Sequence, residues 1–262
     1  MANTYQSKLF VETKPIDRAE RLIDDGKFKE ALDLIEDDTS SQAFNAKGII
    51  FENLGDYEKS VECFTKAENI SGEDKFRLNR ANCLYRWAKV TYFPEGNLDR
   101  AMDLIDEALE SIPDDEDSSE FWFLKGEIYQ SLENLLEARK CFLKAEGRFE
   151  ELKILEDELA LFEKYSDETL INITGTGFYR GLEPFSENAE FRLVRDLKNE
   201  HDPDAIAVMD GSEIVGYVAN SDYTLIFNVK SASDIKNMIG ESSVARVIFV
   251  FQNEYVIARV EL

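Results

Sequence analysis

The amino-acid sequence predicts a multidomain α + β protein, with a helical-repeat domain over residues 1–166 and a small β-rich domain over residues 167–262. A short turn-and-helix pattern recurs four times in the first part. After Tyr165 the apolar residues change from helical spacing to alternation. The chain of 262 residues is long enough for two domains that each bury a core, and its 44% hydrophobic content is typical of a soluble folded protein.

Each copy of the pattern begins with a turn residue, followed two positions later by an apolar residue and five positions later by a small one. A large apolar residue comes four positions after the small one. A small side chain lets two helices approach closely, and a bulky one fills the space beside the next pair. The copies span residues 26–31, 55–60, 96–101 and 133–138, and their large residues are Ile35, Phe64, Ile105 and Phe142.

This pattern resembles the tetratricopeptide repeat over roughly residues 15–165. The fourth copy matches best, through Trp122, Gly126, Tyr129, Ala138, Phe142 and Ala145. The spacings between turn positions are 29, 41 and 37, whereas the family repeats about every 34 residues. The side chains also depart from the family pattern, since Lys47 and Lys125 replace leucine, Ser60 replaces alanine and Glu133 replaces glycine. Pro94 should end a long helix that starts near Glu73, and residues 148–165 are expected to form a final helix that caps the stack.

The resemblance implies a concave groove, lined by the first helix of each pair, that holds a peptide or a partner helix. The family positions predict a protein-binding set made of Asn45, Ile49, Asn53, Asn82, Tyr85, Arg86, Phe123, Glu127 and Gln130. The set lacks the cluster of lysine and asparagine with which some relatives clamp a C-terminal carboxylate. Each of these residues also suits an ordinary solvated helix face.

The β-rich part predicts short strands with one or two short helices, arranged as a small, partly open barrel. A helix is expected over 233–238, ending at Gly240, and the last two strands should form a closing hairpin. The expected strands span residues 170–180, 189–196, 205–209, 214–218, 244–251 and 255–261.

This part resembles the HIRAN domain, an OB-like β-barrel module, over roughly residues 168–262. The resemblance rests on the run Asn199-Glu-His-Asp-Pro-Asp-Ala-Ile-Ala-Val208, followed eight residues later by Gly216-Tyr217. The turn Gly177-Phe-Tyr-Arg-Gly181 and the charged strand Leu193-Val-Arg-Asp-Leu197 support it.

The HIRAN resemblance implies capture of single-stranded DNA, with a preference for a 3′ end. Phe178 and Tyr179 would form part of a pocket wall, His201 would stack on a terminal base, and Asp202 would accept a hydrogen bond from a terminal hydroxyl. Stacking on a base contributes roughly 1–3 kcal/mol whatever the sequence. The implied nucleic-acid site also includes Tyr217 and the backbone contacts Arg180, Arg192, Arg195 and Lys198.

Two features oppose DNA binding by this domain. Ala219-Asn220 stands where DNA-binding relatives place a lysine, and residues 167–262 hold 8 Lys and Arg against 16 Asp and Glu. Asn199, Asp202 and the following strand residues also suit a purely structural role as turn and core, and His201 suits an exposed loop. The alternative is therefore a protein-interaction scaffold whose barrel does not bind DNA.

The charge, the cysteine content and the absence of known catalytic motifs narrow the classes of function that remain. A net charge of −24 repels nucleic acid and anionic membranes at long range, so contact with phosphate needs a local basic patch. Neither a signal peptide nor a membrane span is expected, which makes the cytoplasm the default location. Three scattered cysteines and one histidine predict no metal site and no cofactor. The sequence has no phosphate-binding loop, His-Glu metal motif or nucleophile elbow, so no catalytic residues are predicted and the chain is expected not to be an enzyme.

Overall fold

The structure is a computed structural model, and it describes residues 14–226 and 229–261. The chain divides into two compact units, residues 1–149 and 150–262. This division comes one helix before the predicted boundary at 166/167. Most of the N-terminal stretch on which the signal-peptide prediction depends lies outside the described residues.

Residues 14–149 of the first unit contain eight helices that pair in sequence as helical hairpins. The long fifth helix ends two residues before Pro94, as predicted. The helices are α1 (Pro15–Asp24), α2 (Phe28–Leu34), α3 (Ser41–Asn53), α4 (Tyr57–Ser71), α5 (Asp74–Tyr92), α6 (Leu98–Ser111), α7 (Ser119–Ser131) and α8 (Leu135–Ala145).

The repeated turn pattern marks the link within each helical hairpin. Asp56 caps α4 by accepting a hydrogen bond from the backbone N–H of Lys59 at 3.2 Å. Asparagine occupies the same cap position in the next two hairpins. The preceding glycines take a left-handed conformation, with a φ of 79° at Gly55, and Glu133 takes it too with a φ of 59°. The turns therefore form as the sequence predicts, although Glu133 lacks the conformational freedom of glycine.

Close packing inside two of these hairpins requires glycine. A Cβ on Gly48 of α3 would lie 2.7 Å from a ring carbon of Phe64 on α4. A Cβ on Gly126 of α7 would lie 2.6 Å from a ring carbon of Phe142 on α8. Phe64 and Phe142 are the large positions of the sequence pattern, and each packs against a glycine on the preceding helix, where a small side chain lets the two helices approach closely.

The polar residues that depart from the repeat pattern find partners inside the unit. The hydroxyl of the buried Ser60 donates to the carbonyl oxygen of Gly48 at 2.8 Å and accepts from the Cys83 thiol at 3.2 Å. The Lys47 ammonium donates to the carbonyl oxygens of Glu36 and Asp38. These departures consequently add polar contacts within the fold.

Lys125 shows the same behaviour at a half-buried position. Its ammonium lies 2.6 Å from a carboxylate oxygen of Asp106 and faces the rings of Trp122 and Tyr129. Burial lowers the pKa of Lys125, but the hydrogen bond to Asp106 and its charge outweigh burial and leave the pKa raised. The lysine therefore stays charged and paired where the family has leucine.

The second unit begins with α9 (Phe149–Lys164) and continues into a closed barrel of antiparallel strands. The strands are β1 (Leu170–Thr174), β2 (Glu190–Arg195), β3 (Ile206–Asp210), β4 (Glu213–Val218), β5 (Ser242–Phe251) and β6 (Tyr255–Glu261). The strand order around the described barrel is β1-β4-β3-β2-β5-β6, with β6 pairing back onto β1. The partly open barrel expected from the sequence is thus closed. A short helix, α10 (Ala232–Ile235), lies between β4 and β5.

The interior of the barrel is apolar, and α9 packs on its outside. Ile171, Leu193 and Val256 are among the inward side chains with less than 1% exposure. The Phe162 ring of α9 meets Phe249 and Phe251 edge-on, with centroids 5.1 and 5.5 Å apart. This helix thus packs on the β5–β6 hairpin within its own unit, and its role as a cap of the repeats stays a prediction.

Candidate functional site

A cavity of about 500 Å³ opens at one end of the barrel, where β1 and β4 end and β3 begins. It brings together His201, Asp202 and Tyr217 of the predicted nucleic-acid site. Its lining residues are Thr174, Asn199, His201, Asp202, Ala205, Tyr217, Val218, Asn220, Ser221 and Thr224.

The loop from β2 to β3, residues 196–205, borders the cavity and is called the cavity loop; hydrogen bonds of its own side chains hold it in shape. The carboxamide oxygen of Asn199 accepts hydrogen bonds from the backbone N–H groups of His201 and Asp202, both at 3.0 Å. Asp202 in turn accepts from the backbone N–H of Asp204 at 2.9 Å. These are the local side-chain turns that asparagine and aspartate favour. The loop thereby presents an exposed His201 and a half-buried Asp202 to the cavity.

Asn220 ties the carboxylate of Asp202 to the rest of the barrel. Its Nδ2 lies 3.1 Å from Oδ1 and 2.9 Å from Oδ2 of Asp202. Its Oδ1 accepts a hydrogen bond from the backbone N–H of Ser233 at 2.8 Å. The sequence marked Asn220 only as the residue found in place of a lysine, and nothing in the sequence indicated this bridge.

Tyr217 lies on β4 and forms a second anchored element of the wall. Its hydroxyl donates to Oδ2 of Asp196 at 3.0 Å, and its ring centroid lies 6.4 Å from that of Tyr179. Burial, followed by the hydrogen bond to Asp196, raises the pKa of Tyr217 to about 12. The phenol is therefore neutral at physiological pH.

Exposed aromatic rings accompany this end of the barrel. Phe178 is 92% exposed in the short 3₁₀ turn that follows β1, and Tyr179 is 42% exposed beside it. Tyr223 is fully exposed, and two residues near it in the chain, Ser221 and Thr224, line the cavity. Sequence reasoning named Phe178 and Tyr179 but missed Tyr223, which no motif marks.

The four predicted basic residues divide between the two ends of β3. Arg180 lies 2.9 Å from the Asp210 carboxylate, and Arg192 donates to the carbonyl oxygen of Gly211 at 3.5 Å. Asp210 and Gly211 belong to the β3–β4 turn, about 13 Å along β3 from the cavity loop. These two arginines therefore do not join the cavity.

Arg195 and Lys198 lie at the cavity end of β3. Arg195 ends β2 and pairs in register with Ile206 at the start of β3, and Lys198 follows in the cavity loop. The pKa of Asp204 is lowered mainly by its hydrogen bond from Lys236, and the charge of Arg195 contributes. Two of the four basic residues are thus close to the cavity loop.

The cavity wall is polar and carries negative charge. Among its described lining residues no lysine or arginine occurs, and Asp202 supplies a carboxylate. Hydroxyl and carboxamide groups of Thr174, Asn199 and Ser221 make up much of the remainder. Such a wall suits a neutral group that donates hydrogen bonds better than it suits a phosphate, because two anions repel.

In the repeat unit, part of the predicted groove forms one surface between α3 and α5. A cavity of about 270 Å³ is lined there by Ile49, Asn53, Asn82 and Arg86, together with residues that the sequence did not single out. Asn79 donates to Asn45 at 2.7 Å, and Arg86 pairs with Glu52 at 2.5 Å. The additional lining residues are Glu52, Phe64 and Asn79.

The other predicted groove residues lie on α5 and α7. Tyr85 is half-buried and stacks on Phe121 of α7, with centroids 4.8 Å apart. Burial, followed by the charge of Glu120, raises the pKa of Tyr85, and Glu127 also contributes. Tyr85 thus contributes to packing between the helices.

Phe123 and Gln130 lie near Phe142 of α8. Phe123 is 52% exposed, with its ring centroid 5.4 Å from that of Phe142. Gln130 and Phe142 line a cavity of about 310 Å³ at the edge of α7 and α8. This part of the predicted groove therefore forms a second surface.

The part of the chain that the structure describes holds no group of three or more His, Cys, Asp or Glu side chains that could bind a metal ion. None of its helices is both long and apolar enough to cross a membrane. Cys63, Cys83 and Cys141 are free and buried, and burial raises the pKa of the Cys83 thiol to about 12, so this thiol is protonated and unreactive at neutral pH.

Helical hairpins followed by a closed barrel with a polar cavity define a two-module protein that combines a helical repeat with an OB-like barrel. Family comparison identifies both modules: residues 41–74 and 119–150 match the tetratricopeptide repeat, and residues 167–236 match the HIRAN domain. The chain thus carries tetratricopeptide repeats and a HIRAN domain, as the sequence patterns predicted.

No curated protein matches the chain. A solved structure titled MamA MSR-1 C2 is similar over 52% of this chain and 76% of its own length, with 16% identity and a TM-score of 0.37. The two modules indicate a general function: tetratricopeptide repeats imply protein–protein interaction, and a HIRAN domain suggests nucleic-acid binding. Both are generally non-catalytic binding modules.

Proposed function

We propose that this protein is a non-enzymatic adaptor whose barrel captures the 3′-hydroxyl end of single-stranded DNA and whose repeats hold a protein partner. The observation that carries the DNA proposal is the carboxylate of Asp202, which is held at the wall of an open cavity beside Tyr217 and His201. A fixed carboxylate can accept a hydrogen bond from a terminal hydroxyl, and it repels a terminal phosphate.

The aromatic groups near the cavity supply the sequence-independent part of binding. Tyr217 is anchored by Asp196, while Phe178 and His201 are exposed and free to meet a base. Each stacked base contributes roughly 1–3 kcal/mol. Unpaired bases at the end of a DNA strand can stack on such rings, whereas paired bases inside a DNA duplex cannot.

The electrostatics favour weak binding with a shallow salt dependence. Arg195 and Lys198 lie near the cavity loop, while Arg180 and Arg192 contact the opposite turn. Two neutralised phosphates give a slope of about −1.4 in a plot of log K against log salt concentration, and four would give about −2.8. A measured slope near about −1.4 would agree with the presence of only two basic residues at the cavity end of β3.

The DNA proposal is tested by fluorescence anisotropy of short single strands that end in a 3′ hydroxyl or a 3′ phosphate. The wild type should prefer the hydroxyl by about 10- to 100-fold, the worth of a hydrogen bond to a charged group. Asp202→Ala should lose this preference. Asp202→Asn should lose most of it, although the asparagine keeps an oxygen that accepts a hydrogen bond from the backbone N–H of Asp204. Glu213→Gln is the matched control, since it removes one negative charge from an exposed side chain at the start of β4 and should leave the preference unchanged.

Absence of binding to either strand would remove the DNA proposal and leave a protein-interaction scaffold. Binding that ignores the terminal group would remove Asp202 from its proposed role and leave the basic residues in place.

For the repeat unit we propose that the α3–α5 surface contacts the protein partner. The side chains there include three carboxamides and one arginine already paired with Glu52, which suits hydrogen bonding to peptide groups. A photo-crosslinking residue at Asn82 should attach to a partner, and the same residue at exposed Glu62 of α4 is the control. Equal crosslinking at both positions would argue against this surface.

A further inference from the structure

One face of α8 forms an open stripe at the end of the described repeats. The α8 stripe consists of Leu135, Arg139, Phe142 and Glu146, which follow one another at steps of three or four residues and therefore share one face of the helix. All four line the cavity of about 310 Å³ at the edge of α7 and α8. Leu135 is 67% exposed, and Arg139 and Glu146 are exposed as well. The stripe is thus an accessible surface of the first unit.

The equivalent stripe of α4, counted from the repeated turn, is covered by the next helix of the repeat. Tyr57 begins this stripe, and its ring stacks on the Trp87 ring of α5 with centroids 6.3 Å apart. Phe64 in its middle is 1% exposed. Glu68 ends it and pairs with Arg80 of α5 at 3.0 Å. Because each repeat stacks on the next through the same positions, the α8 stripe is expected to accept a helix as well.

Arg139 gives the α8 stripe a positive charge in an acidic protein. The corresponding residues of α4 and α6 are the apolar Val61 and Met102, and both pack on the core cluster shared by α5, α6 and α7. Residues 135–148 hold four basic and two acidic side chains, a net charge of +2, whereas the whole chain carries −24. This end of the repeats therefore attracts a negative side chain, unlike most of the molecule.

Arg139 is also the basic residue of α8 that remains available to a partner. Lys140 pairs with Glu137 at 2.7 Å, and the Lys144 ammonium lies 4.1 Å from the centroid of the Trp122 ring. Arg139 makes no hydrogen bond or ion pair with any residue that the structure describes. A carboxylate placed opposite Arg139 would form a charge-assisted hydrogen bond there.

We propose that the α8 stripe is a second protein-docking surface, which binds an amphipathic helix of a partner protein with an acidic residue opposite Arg139. Leu135 and Phe142 pack on the apolar side of this helix, and its carboxylate pairs with Arg139. A second copy of this chain is a poor occupant, because two molecules of net charge −24 repel each other. The surface is separate from the α3–α5 surface and adds a partner of different chemistry.

The probe is a fluorescein-labelled synthetic helix of about 14 residues, slightly longer than α8 and held helical by a side-chain staple. Leucines line one face, and a glutamate lies at the centre of that face; the matched probe has lysine in place of the glutamate. In fluorescence anisotropy the full chain should bind the glutamate probe about five- to tenfold more tightly. An exposed ion pair contributes about two- to fivefold, and the lysine adds repulsion.

Arg139→Glu tests the charge of the stripe. This variant should invert the preference and bind the lysine probe more tightly than the glutamate probe. A loss of structure weakens the binding of both probes and cannot invert their order. Lys29→Glu is the matched control, since it makes the same change of charge at an exposed lysine of α2 and should leave the preference unchanged.

Leu135→Ser tests the apolar part of the stripe. It removes an exposed leucine that the probe should cover, so binding of the glutamate probe should weaken by about tenfold. Leu54→Ser is the control, because Leu54 is 58% exposed at the end of α3 and lies outside the stripe. Binding by this control should equal that of the wild type.

The proposal is overturned if neither probe binds, if Arg139→Glu keeps the wild-type preference, or if the control variants change binding as much as the stripe variants. Sedimentation gives a further outcome: self-association of the wild type that Leu135→Ser abolishes would assign the stripe to a second copy and would also overturn the proposal. DNA-end capture by the barrel is measured with other ligands and survives each of these results.

Discussion

The repeat unit and the barrel use their hydrogen-bonded polar residues in opposite ways. In the repeats, Ser60 and Lys125 occupy positions where the family has apolar side chains, and each finds its partners within the same unit. In the barrel, Asp202 and Asn220 also bind each other, but they do so at the wall of an open cavity. A polar residue whose hydrogen bonds are made inside the unit has a stabilising role. A hydrogen-bonded polar residue that still faces an open cavity is available for recognition of a ligand.

Substitutions that separate stability from binding test this contrast. The repeat residues should change the free energy of unfolding, and the cavity residues should change selectivity.

The largest effect on stability is expected from Gly48→Ala. The added Cβ would meet the buried Phe64 ring at 2.7 Å, and overpacking of this kind costs about 1–3 kcal/mol. The better helix propensity of alanine offsets up to about 1 kcal/mol of this. Urea unfolding should give a lower midpoint, and Phe64→Leu in the same background should recover part of the loss. No recovery would show that the clash with Phe64 is not the cause.

A smaller loss is expected from Ser60→Ala. This change leaves the carbonyl oxygen of Gly48 and the thiol of Cys83 without their shared buried partner, at a cost of about 1 kcal/mol. The family pattern has alanine at this position, so a stabilised Ser60→Ala would indicate that the local packing matters more than the hydrogen bonds. The free energy of unfolding from urea titration decides between the two results.

Glu133→Gly should stabilise the repeat unit. Glu133 has a φ of 59° in a turn where equivalent positions hold glycine, and an L-residue pays about 1–2 kcal/mol in this conformation. The substitution keeps only part of this gain, because glycine makes the unfolded chain more flexible and so increases the entropy lost on folding. We therefore expect the free energy of unfolding to rise by about 0.5–1 kcal/mol. The midpoint of thermal unfolding should rise, and Gly55→Ala at the equivalent turn, with a φ of 79°, should lower it.

The smallest effect on stability is expected from Asp202→Asn. The asparagine can still accept from Asn220 and from the backbone of Asp204, so the free energy of unfolding should change by less than about 0.5 kcal/mol. The hydroxyl preference in the anisotropy assay should fall nonetheless. A large loss of stability in Asp202→Asn would place Asp202 with Ser60 as a structural residue and would remove the contrast between the two units.

Most of the fold could be predicted because local rules determine it. These rules act within a few positions of the chain: turn glycines, asparagine caps and alternating apolar residues. They predict the helical hairpins and most of the strands. The first strand ends at Thr174 and not at Arg180, because Gly175 turns into a left-handed conformation with a φ of 71°. Barrel closure depends on pairing between β1 and β6, which are far apart in the chain and carry no mutual signal.

The site was harder to predict than the fold because it depends on contacts between distant residues. His201, Asp202 and Tyr217 were located by motif, and the structure brings them to one cavity. The basic residues were close in sequence, yet Arg192 and Arg195 lie three positions apart on one strand and reach different ends of β3. The bridge from Asn220 to Asp202 spans 18 residues and is invisible to any local pattern.

Closure of the barrel also restricts how a ligand can be held. Each of the six described strands has a neighbour on both sides, so no strand has one whole edge open to the addition of a foreign strand, although β1 and β4 pair over only two residues. Peptides that bind by extending a sheet are therefore poor ligands for this domain, and self-association through strand edges is suppressed. Recognition is left to the loops at the strand ends, where side chains, and not the backbone, decide what is bound.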